Sequence, residues 1–287
     1  MVNPVRFGSG FYGFDVPDPP GYKITYTAPH RPGEQFILHS MLDAEADEQR
    51  VVLKESGFGG GFGEVDFSSA ESVTRYGSRV TGSKIPAFDG ELDVVVRPGP
   101  DDSVMETLRD WRNAWSFFED GELKVVARDG GNREARVRLV SFGEVELDPS
   151  GARLIEDSVQ YQCLDGYWSG GVSAYTDNVT VTTPGDLPPK LRLKWDGQAT
   201  NFTLPSGLSV SLAQGPGTRW IDLERGMQGQ VTDEDGNVDT GTWSSLRGVL
   251  VGETLQPHTK NDFQLGAGLT LEAVSYTHLT LPTTPYV

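Results

Sequence analysis

A chain of 287 residues with a formal net charge of −17 repels phosphate backbones and anionic lipid, so no nucleic acid and no membrane surface is expected as a partner. Its single cysteine, Cys163, excludes an internal disulfide and points to assembly in a reducing cytoplasm. No run approaches the roughly 20 apolar residues of a spanning helix, and the start MVNPVRFGSGFYG lacks the layout of a signal peptide.

The length suits two domains, each able to bury a core of its own. With 35 glycines, 18 prolines and many short alternating runs, the composition predicts an all-β protein of sandwich type with few helices. In chain order, YKITYTA, EQFILHSML, QRVVLKES, EVDFSS, SRVTGSK and GELDVVVRP read as strands. The glycine-rich GFGGGFG (57–63) between them reads as a flexible loop, because no Gly-Lys-Ser/Thr follows it as a phosphate loop requires.

After Pro98-Gly99-Pro100, Ser103 and Glu106 have capping-box spacing, and Val104, Leu108, Trp111 and Trp115 lay down one apolar stripe. This predicts a helix near 103–117 that packs on a sheet through Trp111 and Trp115. A hairpin follows, ELKVVAR and REARVRLVSF around Asp129 to Asn132. The next strand places Val159, Tyr161 and Cys163 on one face and runs into YQCLDGYWSGG (161–171). The Pro-rich TTPGDLPPK (182–190) cannot join a sheet interior, which sets a boundary at about 170–185. The first unit is therefore expected to span 1–175 and a second, smaller sandwich 180–273, built without a helix from KLRLKW, NFTLPS, LSVSLAQ, RWIDLE, GQVTDEDGNVDT and WSSLRGVLV.

Chemistry is sparse. His30, His39, His258 and His278 are scattered without metal-ligand spacing or a nucleophile motif. The alternation Glu144, Glu146, Asp148 could supply paired carboxylates for glycoside hydrolysis, but it reads better as a solvated strand face. Asp233 to Asn237 lacks the acidic positions of a calcium loop and reads as a hairpin turn. Trp195, Trp220 and Trp243 suit either a core or a sugar-stacking platform. No catalytic residue, cofactor site or metal site is expected.

The order of these features resembles the distal tail protein family of long-tailed phages, whose first domain closes on a strand ending in Asp-Pro-aromatic-Trp. Asp165 and Trp168 match that ending, in the stretch Asp165-Gly166-Tyr167-Trp168, and Gly166 stands where the family has proline. Trp220-Ile221-Asp222, the Val231 to Val238 hairpin and Trp243-x-x-Leu246 resemble the family's second sandwich. The resemblance implies a structural virion component: a ring, typically a hexamer, built by the first domain. Its partners would be further copies of itself, the tail tube protein and the tip or fibre proteins, on a virion tail assembled in the host cytoplasm. The second reading is a β protein that binds or cleaves carbohydrate such as host cell-wall glycan. Buried tryptophans would count against it.

The stretch VSYTHLTLPT (274–283) resembles the conceptual translation of a transposase sequencing adapter. Residues 274–287 are therefore expected to be non-native and to add nothing to the fold, with the native sequence continuing past Ala273.

Overall fold

The computed structural model describes residues 21–31, 33–40, 49–61, 63–72, 75–99, 102–127, 131–145, 153–182 and 185–277. The protein is all-β. Ten strands come first: β1 (Tyr22–Thr27), β2 (Gln35–Ser40), β3 (Val51–Gly60), β4 (Asp66–Ser72), β5 (Arg75–Lys84), β6 (Phe88–Val96), β7 (Gly121–Ala127), β8 (Asn132–Phe142), β9 (Ile155–Cys163) and β10 (Trp168–Thr176). A helix, α1 (Val104–Asn113), lies between β6 and β7.

β2-β1-β7-β8 forms one layer, and β8 also pairs with β9, which leads on to β6 and β3. The first half of β8 pairs β7 from Val137↔Gly121 to Asn132↔Val126, and its second half pairs β9 from Arg138↔Gln162 to Phe142↔Val159. A register break between Leu139 and Ser141 bends the strand from one layer to the other. Strict alternation fills the space between the layers. β6 turns Leu92, Val94 and Val96 inward, β7 contributes Leu123 and Val125, and β9 contributes Val159, Tyr161 and Cys163.

α1 begins as the sequence predicts. The Ser103 hydroxyl accepts from the Glu106 amide at 3.3 Å, and the Glu106 carboxylate accepts from the Ser103 amide at 2.8 Å. The stripe buries Leu108 and Trp111, while Arg112 reaches the fully buried Asp157 of β9 with two hydrogen bonds, at 3.1 and 2.6 Å. The guanidinium also donates to the Gly143 carbonyl and lies 4.8 Å from the Phe142 ring centre, so the buried carboxylate is neutralised and the helix is fixed to the sheet.

Strands β11 (Val179–Thr182), β12 (Leu187–Trp195), β13 (Thr200–Thr203), β14 (Ser209–Leu212), β15 (Arg219–Asp222), β16 (Val231–Thr232), β17 (Lys260–Leu265) and β18 (Leu269–Thr277) make the remainder. The layer β16-β15-β12-β18-β10 faces β11-β17-β13-β14 across a second core that includes Leu193, Trp195, Phe202, Ile221, Phe263 and Leu271. β10 joins the two halves: Ser169 pairs Glu134 of β8, and the rest of the strand runs along β18.

Three expectations from sequence need correction. Gly57 to Gly60 is the end of β3 and not a loop, since a Cβ at Gly57 would lie 2.4 Å from the Asp93 carbonyl oxygen and one at Gly60 2.7 Å from that of Asp89. The glycines serve close backbone approach across a bulged pair, not flexibility. WSSLRGVLV opens within a helix, α2 (Thr240–Leu246), because the Asp239 carboxylate caps the Thr242 amide at 3.1 Å. Pro188 and Pro189 do sit in β12, at its irregular start, where pairing skips from Leu187 to Lys190 and no ladder donor is needed. β18 continues past Ala273 through Thr277: Val274 and Tyr276 pair with both β10 and β12, and Thr277 pairs with β10. Residues 278–287 lie outside the described residues.

Candidate inter-unit junction

The strand ending singled out in the sequence lies where the two cores meet. After Cys163 the chain turns on Gly166, whose φ is +78° and whose amide donates to the Cys163 carbonyl at 3.3 Å. A Cβ on Gly166 would stand 2.3 Å from the Pro86 carbonyl oxygen. Asp165 accepts two hydrogen bonds from Arg136, at 2.8 and 2.7 Å, and this pairing holds the guanidinium pKa above its ordinary value.

Trp168 is buried, and its indole N–H donates to the Gly61 carbonyl at 2.7 Å. Its ring lies 6.3 Å from both Phe58 and Phe88, so one side chain ties the end of β9 to the end of the glycine-rich strand. Tyr167 points the other way and meets Tyr276 of β18 at 4.5 Å between ring centres. Burial pushes the Tyr276 hydroxyl up to about 12. Cys163 is fully buried with its thiol 3.7 Å from the Tyr167 carbonyl, and desolvation raises its pKa, the reverse of what a nucleophile needs.

Trp111 and Trp115 form a second aromatic cluster in the first core. Tyr26 stacks on Trp115 at 3.9 Å and meets Trp111 edge-on at 5.9 Å, and Phe36 abuts Trp111 at 5.3 Å. The Tyr26 hydroxyl donates to the Ala114 carbonyl at 3.1 Å, which closes the end of α1, and burial raises its pKa.

The remaining candidates do not converge. His30 is exposed, His39 lies within β2, and His258 stands 4.0 Å from Asp186; His278 lies outside the described residues. Glu144 is exposed, while Glu146 and Asp148 lie outside the described residues. The Asp233 carboxylate accepts from the amides of Asn237 at 2.8 Å and Asp235 at 3.0 Å, bonds that close a hairpin turn and lower its pKa. Among the described residues no group of three or more His, Cys, Asp or Glu could hold a metal ion.

The three tryptophans of the second unit do not share a platform. Trp195 is buried and donates to the Gln198 carbonyl, Lys194 and Arg192 lie over the Trp220 ring, and Trp243 sits on α2 under Arg247. A cavity of about 560 Å³ lies on the outer face of β6, β8 and β9. Its carboxylates are already engaged: Asp89 accepts from Gln162 and Glu91 from Ser158. A smaller cavity of about 360 Å³ follows the seam between Tyr167, Tyr276, Glu224 and Glu253.

Two features had no sequence signal. The Arg136–Asp165 pair joins residues 29 apart through strand register alone, and the exposure of Phe117 and Phe118 follows from the turn after α1.

No protein-family model matches the chain, and no curated protein does. Solved structures do. The SPP1 Dit protein, described as a paradigm of the hub adsorption apparatus in phages infecting Gram-positive bacteria, superposes with a TM-score of 0.58 at 13% identity, covering 88% of this chain and 98% of that one. The phage P2 baseplate in its activated conformation with Ca gives 0.45 at 8% identity, and the form with Sr 0.46 at 7%, each covering 91% of this chain and 99% of the other. The chain thus shares the overall fold of the SPP1 Dit protein over nearly the whole of that chain.

Proposed function

We propose that the chain is a distal tail protein, a structural component of a phage tail that forms a ring and joins the tail tube to the tip machinery. The observation that carries this reading is the likeness to the SPP1 Dit fold, which covers 88% of this chain and 98% of that one. Surface properties support it. Among the described residues β4 and β5 pair only with each other; they form a hairpin outside both main sheets and expose Phe67 (66%) and Val80 (58%). A ring can cover such surface, whereas an isolated molecule leaves it in water.

The role needs no turnover. The carboxylates and histidines described above are scattered, exposed or hydrogen-bonded, and the tryptophans offer no joint platform for a sugar. Multi-angle light scattering of the purified full-length chain tests the proposal: a closed oligomer of defined mass, independent of further dilution, is expected. A monomer at every concentration, or glycan hydrolysis lost in Glu144→Gln, would overturn it.

A further inference from the structure

We infer that the stretch Asp165 to Trp168 is the clamp that sets the direction of the β4–β5 hairpin, and that through Tyr167 it ties this direction to the second unit. The hairpin cannot aim itself. Among the described residues its strands pair with no others, its residues 66–71 and 77–84 are exposed, and neither core cluster contains any of them. A two-stranded ribbon without packing has nothing to hold it against the body. Its direction is decided where the chain leaves β3 and where it returns to β6.

Both stems meet the same four residues. On the outgoing side Gly60 and Gly61 have φ of +67° and +81°, a left-handed pair open to glycine, whose backbone resists rotation least. Two hydrogen bonds fix it: the Gly61 amide donates to the Asp89 carbonyl at 3.1 Å, and the Gly61 carbonyl accepts from the Trp168 indole at 2.7 Å. On the return side Ile85 and Pro86 lie against the turn, since a Cβ at Gly166 would stand 2.9 Å from Ile85 Cγ2 and 2.3 Å from the Pro86 carbonyl oxygen. Pro86 has a fixed φ and restricts Ile85 before it, so this stem is stiff and follows the turn it rests on. Arg136 holds that turn through its two bonds to Asp165.

The same stretch reaches the second unit. Ile85 and Tyr167 from the first unit and Leu187, Pro188, Glu224 and Tyr276 from the second wall one cavity of about 360 Å³, and the Tyr167 ring meets that of Tyr276. A displacement of β12 or β18 against the first unit therefore bears on Tyr167 and Ile85, and with them on the base of the hairpin. Trp168 is a positioning residue in this scheme: it holds Gly61 and leaves the exposed surface of the hairpin untouched. Such coupling is reciprocal, so covering the hairpin also steadies the seam. The clamp acts within one chain, whether or not copies form a ring.

Distances between spin labels in the full-length chain test this. One label sits in the hairpin at S69C and the other at E119C, in a turn fixed by the Ser116 hydroxyl, which accepts from the amides of Phe118 and Glu119 at 3.1 Å. Cys163 is fully buried and stays unlabelled. Labelled chains are diluted with unlabelled ones so that only distances within a chain are read, and every variant is measured below its own melting transition. Without further substitution one narrow distance is expected. W168F keeps an aromatic ring but loses the indole donor, and should spread that distance; Y167A should shift or spread it through the seam. W195F loses the indole donor to the Gln198 carbonyl in the second core and should leave it unchanged. A broad distance at the outset, or a narrow one kept in W168F, would overturn the clamp. A distance unchanged in Y167A would overturn its link to the second unit, and equal spreading in W195F and W168F would reduce the effect to a general loosening and overturn it as well.

Discussion

At Gly166 a missing Cβ decides how the first unit ends. The strand ending that this stretch resembles has proline at this position, and proline holds φ near −65° and donates nothing. Here φ is +78° and the amide donates to Cys163, so the turn is left-handed and cannot be the proline form. Gly166→Ala should destabilise the protein by about 2 kcal/mol or more, through the positive φ and the contact with the Pro86 carbonyl. Gly166→Pro should cost more still, since it also removes the hydrogen bond. Urea unfolding checks the order, and a proline variant as stable as wild type would show that the turn reverts to the family form. The sequence displayed the exchange of glycine for proline, but not its handedness. That depends on Pro86, which lies 80 residues earlier and comes close only through the pairing of β6 with β9.

Elements were legible in proportion to their length and period. α1 carries a capping box and an apolar stripe over ten residues, whereas α2 has seven residues, only Leu246 buried, and a single capping carboxylate. In β18 the buried face reads Leu269, Leu271, Ala273, Ser275, Thr277, with Ser275 only half-buried, so the period of two persists while the apolar character stops at Ala273. The second core ends at the same residue, which agrees with a change in the character of the sequence there. Yet Thr277 is buried with its hydroxyl on Asp186, and Tyr276 packs on Tyr167. Truncation after Ala273 should therefore lower the melting temperature by several degrees, at roughly 2–4 °C per kcal/mol for a chain of this size. A change below about one degree would show that Val274 to Thr277 pair through strand propensity alone and add no stability.

The helix caps also set a pH dependence. The Thr242 amide, and after it Arg219, lower the pKa of Asp239 from 3.8, and the Ser103 amide lowers that of Glu106 from 4.5. Because each pKa is lower folded than unfolded, the stabilisation is complete above the unfolded values and disappears as pH falls through the folded ones. Asp239→Asn should lower stability at pH 7 and leave a shallower loss as pH falls through and below the ordinary carboxylate range. Denaturant midpoints at several pH values measure both, and parallel acid limbs would remove Asp239 as the source.

At the scale of the molecule, the number of cores follows from where strand patterning changes partners. Composition and alternation indicated two β units, but the boundary drawn through 170–185 crosses β10, which belongs to both. Its first residues pair β8 and the end of β18, and its later ones pair β18 alone. No local signal could reveal this, because a strand's two neighbours are set by the whole sheet. The consequence is energetic. The first core runs from Ile24 to Trp168 and the second from Val181 to Ala273, with no residue in common, and they are joined by one continuous sheet seam. Large-to-small changes at fully buried leucines cost about 2–5 kcal/mol, so Leu123→Ala and Leu193→Ala should each strongly weaken one core. We expect calorimetry to resolve two transitions, the lower shifted by one variant and the upper by the other, because a narrow seam transmits little of the loss. A single transition moved equally by both variants would mean that β10 and β18 couple the cores into one cooperative unit. In that case the Tyr167–Tyr276 contact is where the coupling should be broken next, by Tyr167→Ala.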